Sequence, residues 1–433
     1  MLLQQQINEI LVRQRDTILN KNEGVERTIL DGIKNKIRLP HVIILTGLRR
    51  SGKSTLLRQI IKKYYKDEDF YYINFEDERL INFPADRFNE LYESLVSLFG
   101  NKKTFFLDEI QNVRNFETFI RRFYDEGFKF FITGSSASLL SKEIGTKLTG
   151  RHIDIIVKPF SFKEFLAFNK LNIDKTSFYK TETKLLIKKY FDNYLINGGM
   201  PEYLTYNDQD TLTNTYDDTI IKDIAVRHNI KNVAVLRQLY QQIITNFANK
   251  FSFTKLKKLI NVGSVNTIKK YILYLEDTYL VKTINKFDYS FKKQIINDKK
   301  LYVLDNGFIR VVSQKFTKDN GWLLENLVFN SLNHNCNIYY YSSESVECDF
   351  ITYSQGRVLN AIQVCYDFNE DNREREINGI KEAMIKLKLK EGLILTYNNE
   401  EDLKVKGKKI KIRPLWKWLL EENTQKSKNL QKK

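Results

Sequence analysis

The chain has 433 residues, 42% of them hydrophobic and 28% charged, and carries a formal net charge of +17 at neutral pH. That length allows two to four domains with large cores, and the composition is that of an ordinary soluble globular protein. No apolar run is long enough to span a bilayer, and the first nineteen residues mix charges of both signs, unlike a signal peptide. Cys336, Cys348 and Cys365 show no C-x-x-C spacing and the four histidines are scattered, which argues for a reducing cytoplasm and against a disulfide frame or a zinc site.

Residues 1–41 read as a helical lead-in. Val42-Ile43-Ile44-Leu45-Thr46 reads as a buried strand, and Thr55 to Tyr65 carries apolar residues at helical spacing. Between them stand Gly47, Leu48, Arg49, Arg50, Ser51, Gly52, Lys53 and Ser54, then Thr55, a G-x-x-x-x-G-K-[ST] loop in the strand–helix setting that makes it a phosphate-binding loop. The glycines let main-chain N–H groups wrap phosphate oxygens, and the helix N-terminus adds partial positive charge. Lys53 is suited to the β- and γ-phosphates of ATP and the Ser54 hydroxyl to Mg²⁺.

A second strand is expected over Phe70–Phe75 and an amphipathic helix over Phe88–Phe99. Thr104-Phe105-Phe106-Leu107-Asp108-Glu109 is an apolar run ending in two acids, the Walker B pattern: Asp108 next to Mg²⁺, Glu109 orienting the attacking water. Phe128 to Thr133 reads as a further strand, and the hydroxyls at its end, Thr133, Ser135 and Ser136, are candidates to sense the γ-phosphate. His152 to Val157 is a fifth strand. This order fits the P-loop branch in which another strand separates the two Walker strands.

Gly47–Thr55, Leu107-Asp108-Glu109-Ile110-Gln111, Thr133-Gly134-Ser135-Ser136, Gly150-Arg151 and Pro159 to Phe165 together resemble a bacterial and archaeal family of AAA+ ATPases whose members typically end in a nuclease-like module. The resemblance implies that Arg151 contacts phosphate, in cis or from a neighbouring subunit, with Arg121 and Arg122 as runners-up; action from a neighbour would require a homo-oligomer. The alternative for Arg151 is a surface arginine before a strand. By likeness to related signalling ATPases, Gly199-Met200-Pro201 resembles a G-x-P motif in which Pro201 sits near the adenine; the alternative is a plain loop between helices.

The charge is uneven. Leu236–Lys315 holds 15 Lys/Arg against 5 Asp/Glu, an excess of 10, whereas Phe316–Leu420 holds 15 of each. Two helices, Phe253–Leu259 and one from Val265 through Leu275, followed by hairpin strands at Tyr279–Ile284 and Lys300–Leu304, read as a winged helix. Lys269, Lys270, Lys286, Lys292 and Lys293 then become candidates for DNA phosphate contacts. A lysine-rich solvated face, or a winged helix that binds protein, is the other reading. In the last module, Glu325, Asp349 and the strand Ala361–Tyr366 resemble a restriction-endonuclease-like core, but Gln363 stands where that core has Glu and Cys365 where it has Lys. An amide binds Mg²⁺ weakly and a thiol supplies no ammonium charge, so a module without cutting activity is expected.

The expected fold is α/β: a P-loop NTPase core of the ASCE/AAA+ type at 1–158, a helical lid at 159–235, a winged helix at 236–315, an α/β nuclease-like domain at 316–420 and a disordered tail at 421–433. The expected function is ATP hydrolysis with Mg²⁺ that moves lid and winged helix, in a role associated with nucleic acid. The alternatives are a nucleotide-controlled switch acting on a protein partner, or an ATP-gated nuclease. No membrane partner is expected.

Overall fold

A computed structural model describes residues 4–65, 69–80, 83–135, 148, 150–174, 176–313, 320–332, 336–344 and 346–421. Ser136 and all but the first residue of the tail at 421–433 lie outside these. The chain forms two compact units, Met1–Pro159 with Asp277–Tyr279, and Phe160–Glu276 with Leu280–Lys433.

The first unit is built on five parallel strands, β1 (Val42–Thr46), β2 (Tyr71–Asn74), β3 (Thr104–Asp108), β4 (Lys129–Gly134) and β5 (His152–Ile156), in the order β2-β3-β4-β1-β5. The strand β4 therefore separates the glycine-loop strand from the strand with the two acids, as the sequence order implies. Side chains alternate between the two faces. Ile44, Phe105, Leu107, Phe130 and Ile132 pack under helices α1 (Gln4–Asn20), α4 (Phe88–Phe99) and α5 (Phe116–Asp125). Ile43, Leu45, Phe106 and Phe131 pack under α2 (Ile29–Ile37) and α3 (Lys53–Tyr64). Because both faces are covered, the strands are continuous apolar runs rather than alternating ones. Tyr279 completes this unit by donating from its hydroxyl to Thr46 Oγ1 (2.8 Å).

The second unit opens with helices α6 (Phe162–Phe168), α7 (Thr181–Asn197), α8 (Pro201–Tyr206) and α9 (Gln209–Asp218), and a π-helix over Thr219–Val226. The next helix, α10 (Val233–Thr245), runs through the expected lid boundary at Leu236; the change in charge there marks no break in the chain's structure. Two short helices, α11 (Phe253–Ile260) and α12 (Val265–Asp277), precede the strand pair β7 (Val281–Lys286) and β8 (Lys299–Val303), which are antiparallel. A helix, α13 (Phe291–Ile296), with Lys292 and Lys293, occupies the connection between them. The pair is not a free-standing hairpin. It joins β6 (Lys250–Phe251), β9 (Asn337–Ser342), β10 (Glu347–Ser354), β11 (Arg357–Cys365), β12 (Glu391–Thr396), β13 (Glu401–Val405) and β14 (Lys408–Pro414) in one nine-stranded sheet, ordered β13-β14-β12-β11-β10-β9-β7-β8-β6. Parallel pairing of β7 with β9, through Asn285↔Tyr339 and Lys286↔Tyr340, crosses the expected boundary at 315/316.

The loop between α7 and α8 is held to this sheet by Asp305, which follows β8. Asp305 is buried and accepts from the N–H groups of Gly199 (2.7 Å) and Gly307 (2.9 Å). Gly198 adopts φ +72°, and a Cβ there would stand 1.8 Å from Asp305 Oδ1, so only glycine fits. Burial pushes the Asp305 carboxyl from 3.8 up to about 6, against the pull of its two donors. Because the folded value is the higher one, its stabilising contribution is complete below the ordinary carboxylate range and is lost as pH rises through about 6. The shift corresponds to a loss on the order of 3 kcal/mol across that window. Chemical denaturation of wild type and Asp305→Asn at pH values on either side of the window should show the difference between them changing by an amount of that order, with wild type losing the more.

Candidate active site

The C-terminal edge of β1 delivers the glycine loop. Gly47 has φ +148°, and a Cβ there would lie 2.3 Å from the Val157 carbonyl oxygen. Arg50 (φ 61°) and Gly52 (φ 96°) also take positive φ, which turns the chain tightly into α3. Gly52 caps that helix without a side chain, leaving the first-turn N–H groups available to an anion. The loop is braced from the lead-in segment by Arg27, which is buried and donates from Nη1 to the Ser51 carbonyl (3.0 Å) and from Nη2 to the Lys158 carbonyl. Its own N–H donates to Gln59 Oε1 on α3 (3.1 Å). Composition and motif do not single out Arg27, whose partners lie 24 to 132 residues away in the chain.

Lys53 is buried and folds back on the loop. Its Nζ donates to the carbonyls of Leu48 (3.1 Å) and Gly47 (3.3 Å) and lies 3.7 Å from Glu109 Oε1. Asp108 ends β3 with 2% of its surface exposed. Its carboxylate accepts from Ser54 Oγ (3.1 Å) and Thr133 Oγ1 at one oxygen, and from the Tyr72 hydroxyl (3.2 Å) at the other. Burial, and then the Glu109 charge, push Asp108 up from the usual carboxylate value, while the Thr133 and Ser54 hydroxyls and Lys53 pull it back. Glu109 takes a left-handed conformation (φ 51°), donates its N–H to Thr133 Oγ1 (2.9 Å) and receives Gln111 Nε2 on its carboxylate. Thr133 thus fixes both acids. Tyr72 was not singled out from the sequence, where it reads only as an apolar strand residue.

Two hydroxyls here have no hydrogen-bond partner among the described residues: Ser51 Oγ in the loop and Ser135 Oγ just past β4, both fully buried or nearly so. Buried polar atoms without a partner are rare in folded proteins and are usually met by ordered water, an ion or a ligand. The register Thr46↔Gly134 sets Ser135 beside the start of the glycine loop. A phosphate chain among the loop amides, Lys53, Ser51 and Ser135 would satisfy them. Ser54 and Asp108 offer a hydroxyl and a carboxylate oxygen, the hard donors Mg²⁺ prefers, with remaining positions left to water and phosphate. The residues present fit both ATP and Mg²⁺.

Arg151 is elsewhere. It precedes β5, and its carbonyl accepts from the N–H of Val42 at the start of β1 (3.0 Å). The glycine loop leaves the other end of that strand, about 13 Å away at 3.3 Å per residue. The Arg151 guanidinium is paired with Asp125 (2.8 Å). An in-cis phosphate contact by Arg151 is therefore corrected: within one chain it stands at the opposite edge of the sheet. Arg121 is also paired with Asp125 (2.7 Å), and Arg122 with Asn89. Pro201 belongs to the second unit and is the first residue of α8.

The second unit has its own charged cluster. Lys300 on β8 is buried, with Nζ 2.7 Å from Glu347, 3.0 Å from Glu325 and 3.4 Å from Asp349. Burial lowers the ammonium's affinity for its proton, but Glu325, Tyr302, Asp349 and Glu347 outweigh it and hold Lys300 well above its usual value. Gln363 donates to Glu376 (2.8 Å), and Cys365 Sγ lies against the Asp367 carbonyl (3.4 Å). No described group of three or more His, Cys, Asp and Glu could hold a metal ion. The cations among these acids are the buried ammonium of Lys300 and, at Glu347, that of Lys250 (2.5 Å).

A loop of this geometry above a parallel sheet, with two acids on a strand separated from it by one other, is the arrangement of a P-loop core. A family model described as an AAA domain matches residues 40–166, and a second, described as a domain of unknown function, matches residues 188–319. The chain is 40% identical over 423 residues to the uncharacterized protein MJ1544 of Methanocaldococcus jannaschii, covering 93% of this chain and 92% of that one, and it belongs to the same family. An uncharacterized protein of Haemophilus influenzae is 28% identical over 347 residues, covering 77% of this chain and 84% of its own length. The Thermotoga maritima RuvB Holliday junction branch migration motor aligns over 65% of this chain and 89% of its own, at 14% identity and a TM-score of 0.24, too loose a superposition to carry an argument.

The ion cluster generates a clear expectation. Lys300→Met leaves Glu325 and Asp349 without their buried cation and Glu347 with Lys250 alone, and should cost about 3–5 kcal/mol in urea denaturation at neutral pH. The deficit should shrink as pH falls and the carboxylates protonate; a deficit independent of pH would mean that lost packing, not charge, is responsible.

Proposed function

We propose that the protein binds and hydrolyses ATP with Mg²⁺ at the glycine loop. The observation that carries this is the convergence of Lys53, Ser54, Asp108 and Glu109 at one sheet edge, joined by direct contacts. When bound, the Mg²⁺–nucleotide supplies the electrophilic γ-phosphorus. Lys53 Nζ, now on the Gly47 and Leu48 carbonyls, would bind phosphate oxygens, and Ser54 and Asp108 would hold the metal. Glu109, held by Thr133 and Gln111, orients a water and accepts its proton. Ser135 registers the γ-phosphate. Arg151 acts on a neighbouring copy's nucleotide, which makes the active form an oligomer.

Hydrolysis drives the lid and the segment at 236–315. The excess of 10 positive charges in that segment favours nucleic acid as the partner. The second reading, a nucleotide-controlled switch acting on a protein, is favoured by the Asp305 tie. It makes the Gly199-Met200-Pro201 loop part of the same body as β8, so a sensed nucleotide would be relayed to the nine-stranded sheet.

Lys53→Ala should abolish nucleotide binding measured with a fluorescent ATP analogue. Glu109→Gln should keep that binding and lower turnover by about 10²-fold or more. Wild-type turnover rates in both variants would falsify the assignment. A DNA partner should raise the ATPase rate, with an effect that falls steeply as salt increases. A rate indifferent to DNA at low salt would favour the protein-partner reading.

A further inference from the structure

A cleft of about 420 Å³ opens from the metal side of this site, away from the glycine loop. Its floor is Ser54, Asp108 and Tyr72, and its walls are α3 and α1. Each wall presents a row at i, i+4 spacing, the spacing that sets side chains on one helix face: Ser54 and Arg58 on α3, and Arg13 and Thr17 on α1 with Lys21 just past its end. Gln14 pins α1 to the end of β2 by donating to the Asn74 carbonyl (3.0 Å) and accepting from the Asn74 N–H (2.8 Å).

Arg58 is the informative residue. It is 5% exposed, donates from Nη1 to the Asn22 carbonyl, and its Nε has no hydrogen-bond partner among the described residues. A guanidinium buried beside a cleft with an unused donor is a built half-site for an anion. Arg13 and Lys21 stand exposed on the opposite wall. Of the acids lining the cleft, Asp77 is engaged at both oxygens by Arg79 (2.9 and 2.7 Å), Asp108 faces the metal position, and Glu76 is exposed.

We propose that this cleft is a phosphate exit pocket, in which inorganic phosphate is held by Arg58, Arg13 and Lys21 after it leaves the glycine loop. The inference rests on the hydrolysis reading above. In that reaction the oxygen of water bonds to the γ-phosphorus and the bond to the bridging oxygen breaks, giving ADP, inorganic phosphate and a proton. ADP remains on the loop amides and Lys53. The dianion is released beside Ser54 and Asp108, where the carboxylate repels it towards the three cations. Phosphate departs by a route separate from the nucleotide's, so release of the two products is uncoupled.

The test is isothermal titration of inorganic phosphate into the full chain without nucleotide, so it does not depend on turnover. A phosphate site in the cleft survives Lys53→Ala, weakens at least tenfold in Arg58→Met, and weakens in Arg13→Gln/Lys21→Gln. The latter pair is on the surface and leaves folding intact if Arg58→Met does not. Phosphate binding that Lys53→Ala abolishes, or that the surface double variant leaves unchanged, overturns the proposal. A wild type that shows the expected binding pattern but never turns ATP over would instead strike the hydrolysis reading alone.

Discussion

The first unit depends on making one buried carboxylate tolerable. Asp108 ends a strand covered on both faces, where an ionised acid without partners is costly. Three hydroxyls make it acceptable, from Tyr72 on β2, Thr133 on β4 and Ser54 on α3. Each comes from a different element, so the arrangement ties two neighbouring strands and the helix after the glycine loop to a single atom pair. A one-residue slip of β4 would turn Thr133 to the other face, removing one of the three donors to Asp108 and the acceptor of the Glu109 N–H. Hydroxyls are also neutral, which keeps a cation welcome.

The second unit solves the same problem in the opposite way. Glu325, Glu347 and Asp349 gather around Lys300, and the positive charge is built into the chain. Where hydroxyls leave the first carboxylate receptive, an ammonium saturates the second group. The two clusters thus differ in electrostatics: neutral hydroxyls surround one buried acid, and an ammonium stands among the other three.

What could be read from the sequence follows from range. The glycine loop and the acid-terminated strand are legible because each is a local pattern of periodicity or spacing, whereas the strand between them in the sheet follows only from the likeness to the P-loop branch. Arg27, Tyr72 and Lys300 are not legible, since each matters through partners distant in the chain: Ser51 and Lys158 for Arg27, Asp108 for Tyr72, and Glu325 through Asp349 for Lys300. The helical lid segment and the hairpin strands are visible as elements, but the change in charge at Leu236 marks no change in structure. Arg151 was recognisable as a residue type at a motif position, yet only the register of β1 with β5 shows which end of the sheet it occupies.

The shared sheet of the second unit has an evolutionary corollary. Pairing of β7 with β9, and the reach of Lys300 from β8 to acids on β10 and the helix Asn320–Ser331, weave residues 250–414 into one fabric. A gene fusion or deletion with its junction between β8 and β9 would expose an unpaired sheet edge on each fragment and orphan a charge in each.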